Sequence, residues 1–276
     1  MVRRARLDAE LVRRGLVPSR ERAAEAIAAG RVSVEGRASV KAATGVAPGE
    51  SLLVREGAEE AGYVSRGGHK LAGALSEFSL DASGLRCLDA GASTGGFTDV
   101  LLRAGACTVH AVDVGYGQLA WSLRTDPRVH VHERVNVRYL DPQLLDGQVD
   151  LTVADLSFIS LTLVLPALVG ATRPGGHLVV LVKPQFEVGR GQVGPGGVVR
   201  DEARRRDAVL AVARAAVRIG VATRAAVPSA LPGPAGNVEY FLWLTAPEPC
   251  RPLDSRDEAD LLAGAFGTPA DPEGAG

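Results

Sequence analysis

Lys183 ends a run of branched aliphatic residues in the stretch HLVVLVKPQFE, residues 177–187. Such a run predicts a buried strand, so the question is what an ammonium group does at its end. A lysine at a strand end ordinarily reaches water or pairs with a carboxylate, and neither requires a function. A lysine in its neutral form can also take a proton from a hydroxyl group, as a general base does. The residues that the fold brings beside Lys183 decide between these interpretations.

Two carboxylates and a second lysine are candidates for that neighbourhood. Asp155 follows the predicted strand VDLTVA, and Glu239 lies near the start of a late strand in GNVEYFLWL. Lys70 lies in a helix before the first strand of the same domain. Because functional side chains gather at the carboxyl ends of parallel strands, we expect Asp155 and Lys183 to be adjacent. We predict Lys183 as the general base, positioned by Asp155. Lys70 and Glu239 would orient Lys183 and the hydroxyl.

A glycine-rich turn in LDAGASTGGF, residues 88–97, predicts a cofactor site. Glycine lets the backbone approach a ligand closely, and Asp113 lies 22 positions after Gly91, where this architecture places an acid for ribose hydroxyls. These features alone fit any nucleotide, although the turn itself does not match the dinucleotide motif GxGxxG and the sequence has no phosphate loop GxxxxGK[ST]. The turn resembles the first motif of class I methyltransferases, which implies S-adenosylmethionine (SAM) as cofactor. The predicted cofactor-binding residues are Asp89, Gly91, Ala92, Ser93, Thr94, Gly95, Gly96, Phe97, Asp113, Val114, Asn136 and Asp155.

The order of elements along residues 85–245 predicts how these side chains are positioned. Continuous Val/Leu strands separated by helices are typical of a parallel sheet covered on both faces. We therefore predict a doubly wound α/β fold, Rossmann-like and mostly parallel. The predicted segments are strands over LRCLDAG, TVHAVDVG, VHVHERV, VDLTVADLSF, GGHLVVLVKP and NVEYFLWLT, helices over GFTDVLLRAG, QLAWSLRTD and 201–219, and the apolar stretch LTLVLPALVGA.

Length and composition restrict the class of protein. A chain of 276 residues is long for one core, so we expect a large domain with a smaller partner. The 31 basic and 32 acidic side chains nearly cancel, so an acidic partner must meet a local patch. Cys87, Cys107 and Cys250 lie far apart without a CxxC pair, which predicts neither a disulfide framework nor a metal site and fits the cytoplasm. We expect no export signal and no membrane span.

The first part of the chain carries a local excess of positive charge. Residues 3–41 contain ten basic and five acidic side chains, a charge of +5. The pattern predicts a helix that ends at Gly15, a second helix from the cap Ser19 to Gly30, and a hairpin over RVSVEGRASV. The stretch RLDAELVRRGLVPSRERAAEAIAAGRVSVEG resembles the S4 RNA-binding module. A solvated helical face is the other interpretation of these arginines.

Longer blocks extend the resemblance over residues 3–245. SRGGHKL, LDAGASTGGFTDVLL, DVGYGQLAWSLR, DLSFISL, LVKPQFEVGRGQVGPGGVV and GPAGNVEYFLWL resemble the TlyA family. The Lys-Asp-Lys-Glu order of the four candidate residues resembles the tetrad of FtsJ-like RNA ribose 2′-O-methyltransferases. The resemblance implies SAM-dependent 2′-O-methylation of cytidine in 16S or 23S ribosomal RNA, or both. It also implies an influence on susceptibility to capreomycin-type antibiotics.

Three regions are expected on this basis. Residues 1–60 would form an S4-like RNA-binding domain, residues 61–247 an FtsJ-like methyltransferase domain, and residues 248–276 an acidic, partly disordered tail. Ribosomal RNA or ribosomal subunits are the expected partners, without a membrane or a required protein partner. The predicted RNA-binding residues are Arg4, Arg6, Arg20, Arg66 and Arg190.

Two other function classes remain as alternatives. One is a non-catalytic RNA-binding or ribosome-assembly factor, against which the four candidate residues and the glycine turn argue together. The other is a haemolysin-like membrane-active protein, because the TlyA family has carried that label, although no export signal or amphipathic cationic helix supports it. The sequence leaves open the modified nucleotide, the choice of subunit and the oligomeric state.

Overall fold

The chain forms two units, Met1–Gly62 and Tyr63–Gly276. The sequence had placed the boundary between residues 60 and 61. The structure, a computed structural model, describes residues 4–17, 20–28, 30, 32–38, 41–47, 49–54, 62–246 and 253–267.

Two short helices followed by small sheets make up the first unit. Its elements are β1 (Ala5–Arg6), α1 (Leu7–Arg13), α2 (Arg20–Ala28), β2 (Val32–Val34), β3 (Arg37–Ala38), β4 (Gly45–Val46) and β5 (Leu52–Val54). The strands pair as β1-β4 and β3-β2-β5. Helix α1 buries Leu7 and Leu11, and α2 buries Ala23 and Ile27, so each helix turns one apolar face to the core. The predicted helices and hairpin are confirmed, whereas the predicted cap Ser19 lies outside the described residues.

The second unit alternates strands and helices, as predicted. Its elements are α3 (Arg66–Glu77), β6 (Arg86–Ala90), α4 (Gly96–Arg103), β7 (Thr108–Asp113), α5 (Trp121–Arg124), β8 (Val129–Glu133), β9 (Val149–Ala154), α6 (Leu161–Ala171), β10 (Thr172–Val182), α7 (Pro184–Glu187), α8 (Glu202–Arg218), β11 (Ala222–Pro228), β12 (Tyr240–Ala246) and α9 (Ser255–Phe266). Short 3₁₀ turns lie at Val137–Tyr139, Pro142–Leu145, Arg190–Gln192 and Pro195–Gly197.

One seven-stranded sheet organises the second unit, in the order β11-β12-β10-β9-β6-β7-β8. The strands from β10 to β8 pair in parallel, while β12 is antiparallel to both β10 and β11. The predicted doubly wound, mostly parallel α/β fold is confirmed. Strand β11 was not predicted, because its sequence ATRAAVP has neither a continuous apolar run nor a strict alternation.

Helices cover both faces of this sheet. Successive residues of β6, Cys87 and Leu88, belong to different buried clusters because side chains alternate across a strand. The Leu88 face packs against α6, α8 and α9, including Leu165, and the Cys87 face packs against α3 and α4, including Leu71 and Leu101. Each fully buried leucine contributes roughly 1.5–3 kcal/mol. The two cores hold the strand ends, and with them the candidate site, in fixed positions.

Part of the region expected as a tail, residues 248–276, is helical. Helix α9 packs along β11 and buries Leu261 and Ala265 in one of the two cores. Asp254 caps it by accepting hydrogen bonds from two backbone N–H groups, in a capping box. Although this stretch is acidic, its apolar residues are spaced so that they lie on one face of α9, and this face packs against the core. Residues 268–276 lie outside the described part of the chain.

Two smaller expectations concern membranes and cysteines. In the part of the chain that the structure describes, no helix has the length and apolar character needed to cross a membrane. Cys87 is buried and Cys107 is exposed, and both are free thiols. Cys250 lies outside the described residues.

Candidate active site

The carboxyl ends of β6 and β9 form the centre of the candidate site. These strands are neighbours, and the chain leaves them in opposite directions, from β6 to β7 and from β9 to β10, so the topological switch point lies between them. Open α/β sheets bind ligands at such a point. Asp155 directly follows β9, and its backbone N–H donates to the Ala90 carbonyl at 3.1 Å. Asp155 is therefore placed beside the turn that begins at Gly91.

Lys183 and Glu239 lie opposite each other at the adjoining ends of β10 and β12. The antiparallel pairing of these strands ends at Val182 and Tyr240. Lys183 is the next residue after Val182, and Glu239 is the residue before Tyr240. Because β12 runs antiparallel, its amino end shares an edge with the carboxyl ends of β9 and β10. The sheet thus brings together residues that are far apart in sequence.

Two ion pairs connect the four predicted residues. Lys183 Nζ lies 2.5 Å from Asp155 Oδ1, and Lys70 Nζ donates to Glu239 Oε2 at 2.6 Å. The side chains of Lys70 and Glu239 are only 8% and 1% exposed. Removing one partner of a buried ion pair leaves an uncompensated charge, so the two members depend on each other. The site therefore combines two cations and two anions at one edge of the sheet.

One oxygen of Glu239 remains available. Its Oε1 atom is buried and accepts no hydrogen bond from any described residue. The loop before β12 covers this atom, since a methyl group placed on Gly233 would come within 2.4 Å of it. A buried acceptor without a donor costs about 1–3 kcal/mol. This oxygen therefore keeps acceptor capacity that no described residue uses.

The loop that leaves β9 adds residues that were not predicted. Lys183 Nζ donates to Ser157 Oγ at 3.0 Å, so this ammonium has two oxygen partners. Phe158 is 90% exposed, and its ring centroid lies 5.2 Å from that of Phe186. Its φ of 64° is in the left-handed region, which is uncommon for a bulky residue. Ser157 could have been suspected from its position two residues after Asp155.

The glycine turn after β6 approaches the same strand ends. Gly91 has a φ of 87°, and its backbone N–H donates to the Val112 carbonyl at 2.8 Å. A methyl group on Gly91 would lie 2.5 Å from the Asp155 carbonyl oxygen, so only glycine fits there. The turn continues through Thr94, whose carbonyl accepts from the next loop, to Gly95 at the start of α4. The backbone itself forms the wall of the predicted cofactor site.

Two carboxylates beside this turn have unused hydrogen-bonding capacity. Asp89 is buried, its Oδ2 accepts from Thr98 Oγ1 at 2.7 Å, and its Oδ1 has no partner among the described residues. Burial raises the pKa of Asp89 to about 7. Asp113 accepts from the backbone N–H groups of Ser93 at 2.8 Å and Gly115 at 2.6 Å. A carboxylate has about four acceptor positions, so Asp113 can also accept from ribose hydroxyls.

A small open pocket lies beside Asp113. Its lining residues are Ala92, Ser93, Ala111, Asp113, Gly115, Gln118, Leu119, Val131 and Glu133. SAM carries a ribose and two cationic centres, so the free acceptor positions of Asp113 and the unpartnered oxygen of Asp89 fit it. Gln118 and Glu133 were not predicted, although Glu133 ends the strand that follows β7 in the sheet.

Three of the predicted cofactor-binding residues have other surroundings. The Phe97 ring is buried in the core, with its centroid 6.0 Å from that of Phe241, so its side chain cannot reach a ligand. Asn136 is exposed, and its side chain accepts from Arg138 N at 3.0 Å, which caps a 3₁₀ turn. Val114 is exposed beyond the end of β7. None of the three is among the residues that line the pocket.

The predicted RNA-binding arginines of the first unit are exposed but ion-paired. Arg4 donates to Glu50 at 2.6 Å. Arg6 and Arg20 both contact Asp8, at 3.1 and 2.8 Å, and the Arg6 hydrogen bond is the main reason that the pKa of Asp8 is lowered. More than half of each arginine side chain stays accessible. Each of these arginines therefore keeps an accessible part beside its carboxylate partner.

The other two predicted arginines belong to the second unit. Arg66 is exposed at the start of α3 and donates to the Pro232 carbonyl at 3.3 Å. Pro232 precedes Gly233, the residue that covers the Glu239 carboxylate, so Arg66 contacts the same loop. Arg190 begins a 3₁₀ turn after α7, and its side chain lies outside the described part of the structure.

Comparisons with known proteins match both units. The model of the FtsJ-like methyltransferase family matches residues 63–246, and that of the S4 domain matches residues 5–51. A 16S/23S rRNA (cytidine-2′-O)-methyltransferase, TlyA of Mycobacterium tuberculosis, is 62% identical over 244 residues, which cover 88% of this chain and 91% of the relative. Hemolysin A of Brachyspira hyodysenteriae is 36% identical over 86% of this chain and 98% of its own length. A solved Streptococcus thermophilus structure with the provisional label of a hemolysin aligns with a TM-score of 0.74, at 37% identity and 96% coverage of both chains.

Proposed function

Because this chain belongs to the TlyA family of FtsJ-like methyltransferases, we propose that it methylates the ribose 2′-hydroxyl of cytidine in ribosomal RNA. The curated relative with 62% identity carries that activity in its name. The observation that supports it most directly is the juxtaposition of the Lys183–Asp155 and Lys70–Glu239 pairs beside the switch point of the sheet. A non-catalytic RNA-binding protein has no need for this arrangement.

SAM is the cofactor of the reaction and, when bound, supplies an electrophilic methyl group on a sulfonium. Asp89 and Asp113 would hold its cationic and ribose portions, and the turn at Gly91 would border it. None of these groups is needed to remove a proton. That task falls to the residues at the ends of β10 and β12.

Lys183 is the proposed general base. A ribose hydroxyl holds its proton tightly at neutral pH, so a base must be positioned against it before the oxygen can act as a nucleophile. Asp155 and Ser157 hold Nζ of Lys183 at 2.5 and 3.0 Å, which limits its motion. In its neutral form Lys183 would take the proton of the 2′-hydroxyl. The unpartnered Oε1 of Glu239 would offer that hydroxyl an acceptor, and the hydrogen bond from Lys70 holds Glu239 in place.

The first unit would hold the RNA. Its exposed arginines, of which Arg4, Arg6 and Arg20 are examples, can contact phosphates without reading sequence. A ribosomal substrate places the protein in the cytoplasm. Methylation at this position is also proposed to alter susceptibility to capreomycin-type antibiotics.

Methyl transfer to isolated ribosomal subunits tests the function. We would incubate the purified protein with methyl-labelled SAM and with 30S or 50S subunits that lack ribose methylation at cytidine. The expected result is label in an alkali-resistant dinucleotide, because a 2′-O-methyl group blocks cleavage of the adjacent phosphodiester. Label on a base, or no incorporation into either subunit, contradicts the proposal. Mapping the labelled cytidine would then identify the target nucleotide.

A further inference from the structure

Glu187 is a partly buried carboxylate outside the four residues discussed above. Its Oε2 accepts from Ser160 Oγ at 2.5 Å, and its Oε1 accepts from the backbone N–H of Leu161 at 2.8 Å. Leu161 is the first residue of α6, an eleven-residue helix. The carboxylate therefore caps a helix from another element, where the helix dipole favours a negative charge. Both oxygens are used, so Glu187 has no obvious capacity left for a substrate.

The position of Glu187 relates it to the general base. The short helix α7 starts directly after Lys183 and ends at Glu187. Its backbone is tied together by a hydrogen bond from Phe186 N to the Lys183 carbonyl at 2.9 Å. Lys183 contacts Asp155 and Ser157 at one end of this turn, and Glu187 contacts the start of α6 at the other end. One turn of helix is thus fastened at both ends to the segment 155–161.

The middle of the same segment is held by aromatic contact. Phe158 packs against Phe186, and Phe158 is the residue with the left-handed backbone. A bulky residue keeps such a conformation only when its surroundings determine it strongly. The contacts of Lys183 and Glu187 lie on either side of it along the chain. Among these contacts with α7, the Glu187 contact is the one on the α6 side of the segment.

Burial of Glu187 has an electrostatic cost that the fold tolerates. Burial raises its pKa above the ordinary value, while the hydrogen bonds from Ser160 and Leu161 act in the opposite direction. Ser160, the N-cap residue, already caps α6 by accepting from the Thr162 N–H at 3.2 Å, so the helix start does not depend on Glu187 alone. The carboxylate of Glu187 joins α7 to the start of α6, and this connection explains its placement.

We propose that Glu187 is a positioning residue for methyl transfer, which fixes the segment 155–161 relative to α7 and so holds Asp155 and Ser157 against Lys183. The proposal rests on the function proposed above for Lys183. Glu187 does not touch the reacting atoms in this scheme. Its effect appears in the rate of the chemical step and not in the affinity for SAM or RNA.

Two substitutions at one position test the contact itself. Glu187→Ala removes both acceptors, and we expect kcat to fall by about 10- to 100-fold, since small displacements of catalytic groups cost this much. Glu187→Gln keeps an acceptor for Leu161 N–H and offers its NH₂ group to Ser160 Oγ, so its kcat should stay within about threefold of the native value. The KM for ribosomal subunits and the Kd for SAM should change less than about twofold in either variant.

Hydrogen–deuterium exchange gives a second readout that does not depend on activity. Amides of residues 155–162 should exchange faster in Glu187→Ala than in the native protein, and at the native rate in Glu187→Gln. Ser160→Ala removes one of the two donors and also the acceptor for the Thr162 N–H, and we expect an intermediate effect on both readouts. This variant also replaces Glu187→Ala if that protein fails to fold.

Asp254→Ala is the matched control. Asp254 also caps a helix with its carboxylate, at the start of α9, so its loss should lower stability and leave kcat unchanged. Unchanged exchange in residues 155–162, or a native kcat in Glu187→Ala, overturns the proposal. If the native protein does not methylate ribosomal RNA, the proposed function fails, and the exchange comparison still decides whether Glu187 fixes the segment.

Discussion

Lys183 and Glu239 face each other one position beyond the last pair of the β10–β12 ladder, yet each forms its ion pair with another residue. Lys183 pairs with Asp155 at 2.5 Å, and Glu239 pairs with Lys70 at 2.6 Å. The positive and negative groups therefore alternate around the ends of β9, β10 and β12, with Lys70 contributed by α3. This alternation lets a lysine approach a substrate hydroxyl without an excess of charge of one sign.

Replacement of Lys183 should abolish catalysis and spare cofactor binding. We expect Lys183→Ala to lower the single-turnover rate by at least about 10²–10⁴-fold, the usual contribution of a general base. Lys183→Arg should be equally inactive, because a guanidinium stays protonated while it preserves the charge beside Asp155. The Kd for SAM, measured by calorimetry, is the control and should not change. Undiminished turnover in either variant would falsify the assignment of the base.

The Lys70–Glu239 pair should matter for stability as well as for rate. Glu239→Ala leaves a buried ammonium without its partner, so we expect the free energy of unfolding in urea to fall by about 3–5 kcal/mol. The double variant Lys70→Met with Glu239→Gln removes both charges and should recover most of that loss. Neither variant should regain methyl transfer. A double variant as unstable as Glu239→Ala would show that the ion pair is not the cause.

Much of this site follows from the sequence because its residues sit at strand ends. Asp155 and Lys183 each follow an apolar run, and a parallel sheet puts such ends together. Glu239 was predicted at the site together with Lys70, but their ion pair was not, because it depends on the insertion of β12 between β10 and β11. Asn136 shows what strand order cannot predict. It follows β8, as the sequence indicated, but its side chain caps a local turn and is not among the residues that line the pocket.

Side-chain contacts made by loops account for most of what was missed. Ser157 and Glu187 lie in short connections whose course depends on packing between elements, and periodicity carries no signal for them. Strand β11 escaped prediction because an edge strand pairs on one side only and can accept polar residues.

Two glycines with similar positive φ angles distinguish the effect of backbone strain from the effect of a close contact with a neighbouring residue. Gly91 and Gly84 have φ of 87° and 71°, but a methyl group on Gly91 would meet the Asp155 carbonyl oxygen, whereas Gly84 has nothing within 4 Å. We expect Gly91→Ala to be less stable than Gly84→Ala by about 1–3 kcal/mol, the usual cost of overpacking. The Kd for SAM should rise by about tenfold only in Gly91→Ala, ~1.4 kcal/mol. Equal effects of both substitutions on Kd would refute a role of this close approach.

Asp89 should make stability depend on pH. Burial raises its pKa to about 7, and the unfolded chain has an ordinary value near ~4. The folded state therefore binds this proton more tightly than the unfolded chain does. The resulting contribution to the free energy of unfolding is complete below about pH 4 and is lost as the pH rises through about 7. Relative to Asp89→Asn, the native protein without SAM should lose up to about 4 kcal/mol over this window. Urea unfolding at several pH values measures the difference, and parallel curves for the two proteins would exclude it. The exposed Asp81→Asn serves as the control.

Salt dependence can locate the RNA-binding surface. Arg4→Ala in the full chain should lower the slope of log K against log salt by about 1, because one phosphate contact is lost. Arg4 is exposed and its pair with Glu50 stabilises little, so folding should be unaffected. Arg173→Ala removes an exposed cation of the second unit, at the amino end of β10, and should leave the slope unchanged. Anisotropy of a labelled ribosomal RNA fragment between ~50 and 200 mM salt measures both slopes. Identical slopes for the native protein and Arg4→Ala would remove Arg4 from the interface.

The antiparallel course of β12 has a consequence for the order of events during synthesis. Glu239 enters the ribosomal exit path only after β6, β9 and β10 have emerged, and Lys70 stays without its partner until then. The unit formed by Met1–Gly62 is complete much earlier and can fold first. In a nascent chain, the S4-like unit can therefore fold before the methyltransferase site is complete.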